Sequence, residues 1–374
     1  MNYKPLPGSL LFNALKDQNS IIMACNPRIT KSIIPGIFRA AKETDSAIIF
    51  ELAKSECDLK GGYTGITPKM LADCVKKEAK TIGFDVYSIH ADHIGVKKGT
   101  PEEIADIKKL IDAQVKAGYT SFAIDASHLF VEAGKNEEGQ LSENIRCTIE
   151  LANYIKEKMK GKEFGLEVEV GEIGKKDEHG KVITTPQEAV TFIKKLNENS
   201  IYPQVLAIAN GSSHGNTYVN GKLVEQVSID IPKTTEIVNS LKKNNFHVRI
   251  AQHGITGTPL HLIKEHFPKG DILKGNVATH WQNIFFDVLK EELPELYNEM
   301  LQWTLTKYGE SGKSDEEIFG KHGKNAIGQF YKEIYAISDD VSSIIENKVI
   351  EDAKKFFDAF NSYGTAKIVR GFLK

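Results

Sequence analysis

The chain has 374 residues, 41% of them hydrophobic and 26% charged, with a formal net charge of −2. That length suits one large α/β domain with an appendage, and the near-neutral balance gives no reason to expect nucleic acid or an anionic membrane as a partner. No stretch approaches the ~18 consecutive apolar residues of a membrane span, and Cys25, Cys57, Cys74 and Cys147 are scattered without a CxxC pair, which argues against a disulfide framework or a cysteine zinc site. The opening MNYKPLPGSLLFNALKDQNS lacks the basic start and apolar core of a signal peptide, so a cytoplasmic location is expected.

In chain order, short apolar runs alternate with amphipathic helical patterns. Strands are predicted at SIIMAC (20–25), SAIIFELA (46–53), FDVYSIHA (84–91), SFAIDA (121–126), FGLEVEVG (164–171), QVLAIAN (204–210), HVRIAQ (247–252) and DILKGNV (271–277). Helices are predicted at 101–118, where Pro101, Glu102 and Glu103 suit a first turn, at 142–161, and at 185–198 with Thr185 as N-cap and Pro186 behind it. Eight strands alternating with helices predict a parallel sheet closed into a (β/α)₈ TIM barrel over 1–290. The rival open sheet lacks a GxGxxG after the first strand. From 291 to 374 the rhythm changes to helical runs around a polar, Gly-rich GESGKSDEEIFGKHGKNAIG, read as a helical C-terminal extension.

Polar residues at the C-terminal ends of barrel strands face the functional mouth. The third strand ends in HADH, the sixth runs into NGSSHGNTY and the seventh into QHGITG. His93, His214 and His253 thus come from three strand ends, and three imidazoles with an open position are a usual catalytic zinc layout. Asp92 adjoins His93, either as a proton shuttle or as a carboxylate that orients a histidine. The glycines of SHGN and HGITG permit close backbone approach, and their N–H groups can cradle a phosphate. GNVAT places Asn276 and Thr279 beside the same mouth. Asp125 and Glu169 add carboxylates; Glu167 and Glu169 share one side of a strand, and charges facing the barrel interior require partners. Lys274, on the eighth strand, is expected to face a helix or solvent rather than to form an imine.

Taken together, HADH, GSSHG, HGITG, GNVAT, FAIDASH and EVEVGEIG, in that family's order over residues about 20 to 290, resemble the class II, metal-dependent fructose-bisphosphate aldolases. The resemblance implies that His93, His214 and His253 bind the metal, one Zn²⁺ per subunit, with a monovalent cation as a further candidate. It implies that Asp92 moves the proton where the carbon–carbon bond breaks, and that Asn276 helps hold the enediolate. Gly215, Gly254, Thr256, Gly257 and Thr279 would hold a substrate phosphate, Asn26 would contact the substrate, and Asp125 and Glu169 would form an alternate metal position. The expected partners are a small phosphorylated sugar and further copies of the chain.

The sequence also departs from that family. A substrate-contacting serine aligns on Ala53, a loop Gly-Gly is Lys175-Lys176, and HGITG has Ile255 where the family has glycine. The loop acid is then Asp177 or Glu178, with Glu178 preferred. Neither Arg28 nor Arg370 is an obvious phosphate-binding arginine. FELAKSECDLKGGYTGITP looks more like the Z-type subunit of tagatose-bisphosphate aldolase, with its E-A-T-S…GGYTGMTP stretch; that subunit is regarded as non-catalytic. The expectation is nevertheless an enzyme of glycolysis and gluconeogenesis, cleaving fructose 1,6-bisphosphate to dihydroxyacetone phosphate and glyceraldehyde 3-phosphate. Tagatose 1,6-bisphosphate cleavage, or the Z-type role, is the alternative.

Overall fold

The computed structural model describes residues 3–173, 176–177, 180–213, 215–219 and 221–373. Eight parallel strands close into a ring: β1 (Ile22–Cys25), β2 (Ile48–Ala53), β3 (Tyr87–Gly95), β4 (Ser121–Asp125), β5 (Gly165–Val170), β6 (Val205–Ile208), β7 (Arg249–Gln252) and β8 (Ile272–Val277). Each pairs with the next in the chain. The last pairs with the first through Ile22↔Lys274 and Ala24↔Asn276, which makes the fold a TIM barrel with no exposed sheet edge.

Local signals set the helices. Helix Pro101–Ala117 starts where the Thr100 side chain accepts from the Glu103 N–H, and stops at Gly118 in the left-handed region. Helix Pro186–Glu198 opens with a reciprocal capping box between Thr185 and Glu188. The predicted 142–161 helix runs over Ser142–Met159. The strands match their predicted positions to within a few residues except for β3, which continues through the HADH stretch to Gly95.

The C-terminal residues complete the barrel wall. The helical segment after β8 is divided at Leu293 into Thr279–Glu292 and Pro294–Tyr308, because Pro294 has no N–H to continue the ladder. Helix Asp339–Ala359 carries a buried stripe of Val341, Ile345, Val349, Ala353, Phe356 and Phe357, at the spacing of one helical face. That stripe packs on helices Ile33–Thr44, Leu260–His266 and Thr279–Glu292. It therefore fills a place in the outer ring between the helices that follow β7 and β1. Helix Thr365–Phe372 packs against helix Gly8–Leu15. Among the described residues, no helix is long and apolar enough to cross a membrane.

The barrel interior is unusually charged. Glu51, His90, Glu167 and Lys274 are each at most 1% exposed, where branched apolar side chains usually dominate.

Candidate active site at the barrel mouth

The site begins with a bulge. Ala91 pairs with Phe122 and Ile94 with Ile124, so Asp92 and His93 together oppose the single residue Ala123. Strict alternation would send one of two neighbours outward. Instead His93 takes φ +37°, a left-handed backbone that costs a non-glycine residue about 1–2 kcal/mol, and both side chains reach the mouth. Bulges re-aim side chains in this way beside functional sites. This is why two chemical groups stand where a strand should be stopping.

His93 Nε2 faces His253 Nδ1 at 3.0 Å. The far nitrogens are held: His93 Nδ1 lies 3.2 Å from Asp125 and 3.0 Å from Glu169, and His253 Nε2 lies 2.9 Å from Glu167. A carboxylate behind each ring fixes its orientation and leaves the other nitrogen for a cation. Burial and then the facing His93 hold the His253 imidazole below its ordinary value, in the neutral form that ligates. Asp92 lies with these two rings in a cluster compact enough for one ion; His93, Asp125 and Glu169 form a second such cluster. Burial and then Asp125 push the Glu169 carboxyl up to about 7. The donor set therefore fits a divalent metal. His214, Lys175, Glu178 and their placement lie outside the described residues, as does the side chain of Asp177.

Below this layer, Lys274 is enclosed in the barrel, with Nζ 2.6 Å from Glu167, 2.9 Å from Glu51 and 3.7 Å from Asp92. The expectation that it faces a helix or solvent is corrected: it stands in register with Ile22 of β1, and its amine points inward to carboxylates from β2, β3 and β5. Burial works against its charge, but Glu167, Glu51 and Asp92 outweigh it and keep the amine protonated. Burial and then Asp92 push Glu51 up to about 8. Burial raises Asp92, and the charges of His93 and then Lys274 more than offset it, so the carboxyl stays below its ordinary value. His90, the other histidine of HADH, sits in this interior with Nδ1 2.6 Å from Ser121. Asn276 donates to Glu51 and, at 3.4 Å, to Asp92.

These groups open into a cavity of about 590 Å³ whose walls include Asn26, Asp92, His93, His253, Asn276 and Thr279. Gly215, Gly254 and Thr256 line it too, as does Ile255, whereas Gly257 is not part of the lining. At Gly254 (φ +67°) a Cβ would lie 2.7 Å from the Ser213 carbonyl oxygen, so only glycine lets the loop after β7 press on the loop after β6. Buried Gln226 ties the two loops. Its Oε1 accepts from the Ser213 N–H at 2.9 Å, its Nε2 donates to the Gly254 carbonyl, and its backbone N–H donates to the Gly257 carbonyl at 2.8 Å. Asn26 donates to Glu56 at 2.5 Å, and the Ala53 N–H donates to the same oxygen at 2.8 Å. The side-chain oxygens of Asn26 and Asn276 have no hydrogen-bond partner among the described residues. Arg28 lines the cavity, whereas Arg370 pairs with Asp45 and Asp85, away from it. Sequence reasoning missed Glu51, Glu56 and Gln226; the first two lie in FELAKSECDLKGGYTGITP, which the sequence marks only as a family likeness, and Gln226 lies in no motif.

Fold and site together define a (β/α)₈ barrel with a cluster of histidines and carboxylates at its mouth that could hold a metal ion. A family model, fructose-bisphosphate aldolase class-II, matches residues 9–364. The chain belongs to the class II fructose-bisphosphate aldolase family, a family of typically metal-dependent lyases acting on phosphorylated sugars. It is 26% identical over 261 residues to the fructose-bisphosphate aldolase of Helicobacter pylori (strain 26695), covering 70% of this chain and 71% of that one. To the Streptococcus pneumoniae TIGR4 enzyme of the same name it is 28% identical over 256 residues, covering 68% and 72%. The crystal structure of fructose-bisphosphate aldolase from Campylobacter jejuni shares the fold, with a TM-score of 0.62 at 18% identity over 97% of this chain and 96% of that one.

Proposed function

We propose that this protein is a zinc-dependent aldolase that reversibly cleaves fructose 1,6-bisphosphate to dihydroxyacetone phosphate and glyceraldehyde 3-phosphate. The observation that carries the reading is the pair of imidazoles facing each other at 3.0 Å, each backed by carboxylate, beside Asp92 and Asn276. His93 and His253, with His214, would hold Zn²⁺. When bound, the ion supplies a Lewis acid for the ketone oxygen.

The chain's own residues do the rest. Asp92 takes the proton of the hydroxyl across the breaking carbon–carbon bond as that hydroxyl becomes an aldehyde. The bond's electrons pass to the ketone half, giving an enediolate. Asn276 donates to the oxygen that gains charge; its 3.4 Å contact to Asp92 is the weaker of its two bonds and the one substrate would replace. A loop acid, Asp177 or Glu178, returns a proton to carbon. Backbone N–H groups at Gly215 and Gly254, with Thr256 and Thr279, hold a phosphate. The enzyme would serve glycolysis and gluconeogenesis in the cytoplasm as a homo-oligomer.

The test is an assay with fructose and tagatose 1,6-bisphosphates, before and after EDTA. Chelation is expected to reduce cleavage to background and Zn²⁺ to restore it, with no inactivation by borohydride in the presence of substrate. Full activity in EDTA together with substrate-dependent borohydride inactivation would replace the metal with an imine. Cleavage of tagatose 1,6-bisphosphate alone would reassign the sugar, and cleavage of neither would favour a non-catalytic subunit.

A further inference from the structure

The GGYTG stretch closes around one carboxylate. β2 ends at Ala53, and the Glu56 and Cys57 N–H groups both donate to the Ala53 carbonyl, at 2.8 and 2.9 Å, in a turn that folds Glu56 back over the strand's end. The loop then wraps this residue. At Gly62 (φ +54°) a Cβ would lie 2.5 Å from the Glu56 backbone carbonyl carbon, so only glycine lets the loop close there. Thr64 Oγ1 donates to the Glu56 carbonyl at 2.6 Å, and the Tyr63 hydroxyl donates to Glu56 Oε1 at 2.7 Å.

The carboxylate is fully subscribed. Oε1 also accepts from Arg28 Nε at 2.8 Å, and Oε2 accepts from Asn26 Nδ2 at 2.5 Å and from the Ala53 N–H at 2.8 Å. Two carboxylate oxygens offer about four lone-pair sites, so Glu56, buried at the cavity wall, has none left for a ligand. Burial works against its charge, but Arg28 and then the Ala53 N–H more than offset it and hold the carboxyl below its ordinary value. Whatever Glu56 does for a ligand, it does through a neighbour.

That neighbour is Asn26. An amide has one donating and one accepting prong, and the hydrogen-bond network decides which points where. An ionised carboxylate only accepts, so Glu56 takes the Nδ2 prong and turns Oδ1 the other way. Oδ1 is buried and without a partner among the described residues, in a side chain that lines the cavity. A buried acceptor is costly until a donor arrives. A sugar hydroxyl brings that donor, whereas an ionised phosphate offers only acceptors. Asn26 follows β1, whose Ala24 stands in register with Asn276, and its N–H donates to the Val277 carbonyl at 3.0 Å. The two amides are therefore neighbours at the mouth.

We propose that Glu56 is a positioning residue: it fixes the Asn26 amide with its carbonyl oxygen toward the sugar, where that oxygen accepts from the hydroxyl beside the ketone. The inference rests on the aldolase reading for the identity of the sugar, and on Asn276 holding the neighbouring oxygen of the same half. The GGYTG loop is then the frame that keeps Glu56 in place.

The experiment titrates Zn²⁺-loaded wild type, Glu56→Gln and Asn26→Ala calorimetrically with dihydroxyacetone phosphate and with two analogues in which its free hydroxyl is replaced by hydrogen or by fluorine. No aldehyde is present, so nothing turns over. Wild type is expected to bind the hydroxyl ligand about tenfold more tightly than the hydrogen analogue, the cost of one hydrogen bond lost with its acceptor left buried. The fluorine analogue, whose fluorine only accepts, should bind weakest of the three. In Glu56→Gln, Arg28 and Tyr63 claim the glutamine oxygen and its NH₂ meets Asn26. The asparagine amide then inverts and turns its donor to the ligand, so the fluorine analogue is expected to bind at least as tightly as the hydrogen one. In Asn26→Ala the preference for hydroxyl over hydrogen should fall by the same factor of about ten. Each ratio is taken within one protein, so a general loss of fold or zinc cancels. An unchanged order in Glu56→Gln, or a wild type indifferent to the hydroxyl, overturns the proposal. The cleavage assay separates this from the aldolase reading. The expected order in all three proteins, without turnover of either bisphosphate, keeps the Glu56 assignment and removes the aldolase. Turnover with the order unmoved in Glu56→Gln removes the assignment alone.

Discussion

Lys274→Met is expected to lower folding stability by about 3–5 kcal/mol, the range for removing one partner of a buried ion cluster. The reason is what stays behind. Glu167 and Glu51 are fully enclosed with the ammonium between them at 2.6 and 2.9 Å, and methionine fills the space without answering the charge of Glu167, whose carboxyl, against burial, Lys274 and the neighbouring histidines hold well below its ordinary value. Glu167 also holds His253 Nε2 at 2.9 Å, so a carboxylate that shifts or takes up a proton also releases a ring proposed to bind metal. The variant should therefore show a lower urea midpoint and a lower zinc content together. Adding Glu167→Gln removes the stranded charge. The double variant is expected to recover part of the lost stability but not the zinc, a non-additivity that a double-mutant cycle measures. A Lys274→Met protein as stable as wild type would mean that the interior acids are neutral and the cluster is not an electrostatic unit. The same geometry argues against imine chemistry, because an amine among three carboxylates has no free lone pair to attack a carbonyl.

How much of this was legible beforehand depended on whether the signal was local. β3 ends in polar, titratable residues after an apolar run, and β5 places Glu167 and Glu169 on one face; both facts are readable from spacing, and both residues do face the interior. Thr185 and Pro186 announced a helix start that the capping box realises. What could not be read was long-range pairing. Lys274 looks like any strand lysine until β8 closes against β1 and its partners arrive from β2 and β5, 223 and 107 positions away in number for Glu51 and Glu167. Gln226 is one amide in a polar loop until the loops after β6 and β7 meet at it. The HADH bulge lies between these cases. The residue types were visible, but their shared direction depends on a backbone with positive φ at His93, and no side chain of that histidine encodes it. The tail was read as helical, yet its role as part of the outer ring follows only from the stripe Val341 to Phe357 finding three barrel helices.

Asp92→Asn is expected to reduce kcat for cleavage about 10²–10⁴-fold, the range for loss of a general acid–base group, with KM little affected. Asparagine keeps the shape and the contact with Asn276 but cannot accept the hydroxyl proton. Two roles compete for Asp92: it is close enough to His93 and His253 to join them in holding an ion, and it is 4% exposed at the cavity floor, where a substrate hydroxyl would lie. A partial reaction tells them apart. If Asp92 handles only the proton at the breaking bond, the variant will still exchange the α-hydrogen of dihydroxyacetone phosphate with deuterium from solvent, because that proton would be moved by the proposed loop acid and not by Asp92. Zinc content should then equal wild type. If Asp92 is chiefly a ligand, exchange and zinc will fall with cleavage. Retained cleavage at the wild-type rate would remove Asp92 from the chemistry, and the carboxylate placed by a strained bulge at His93 would need another purpose.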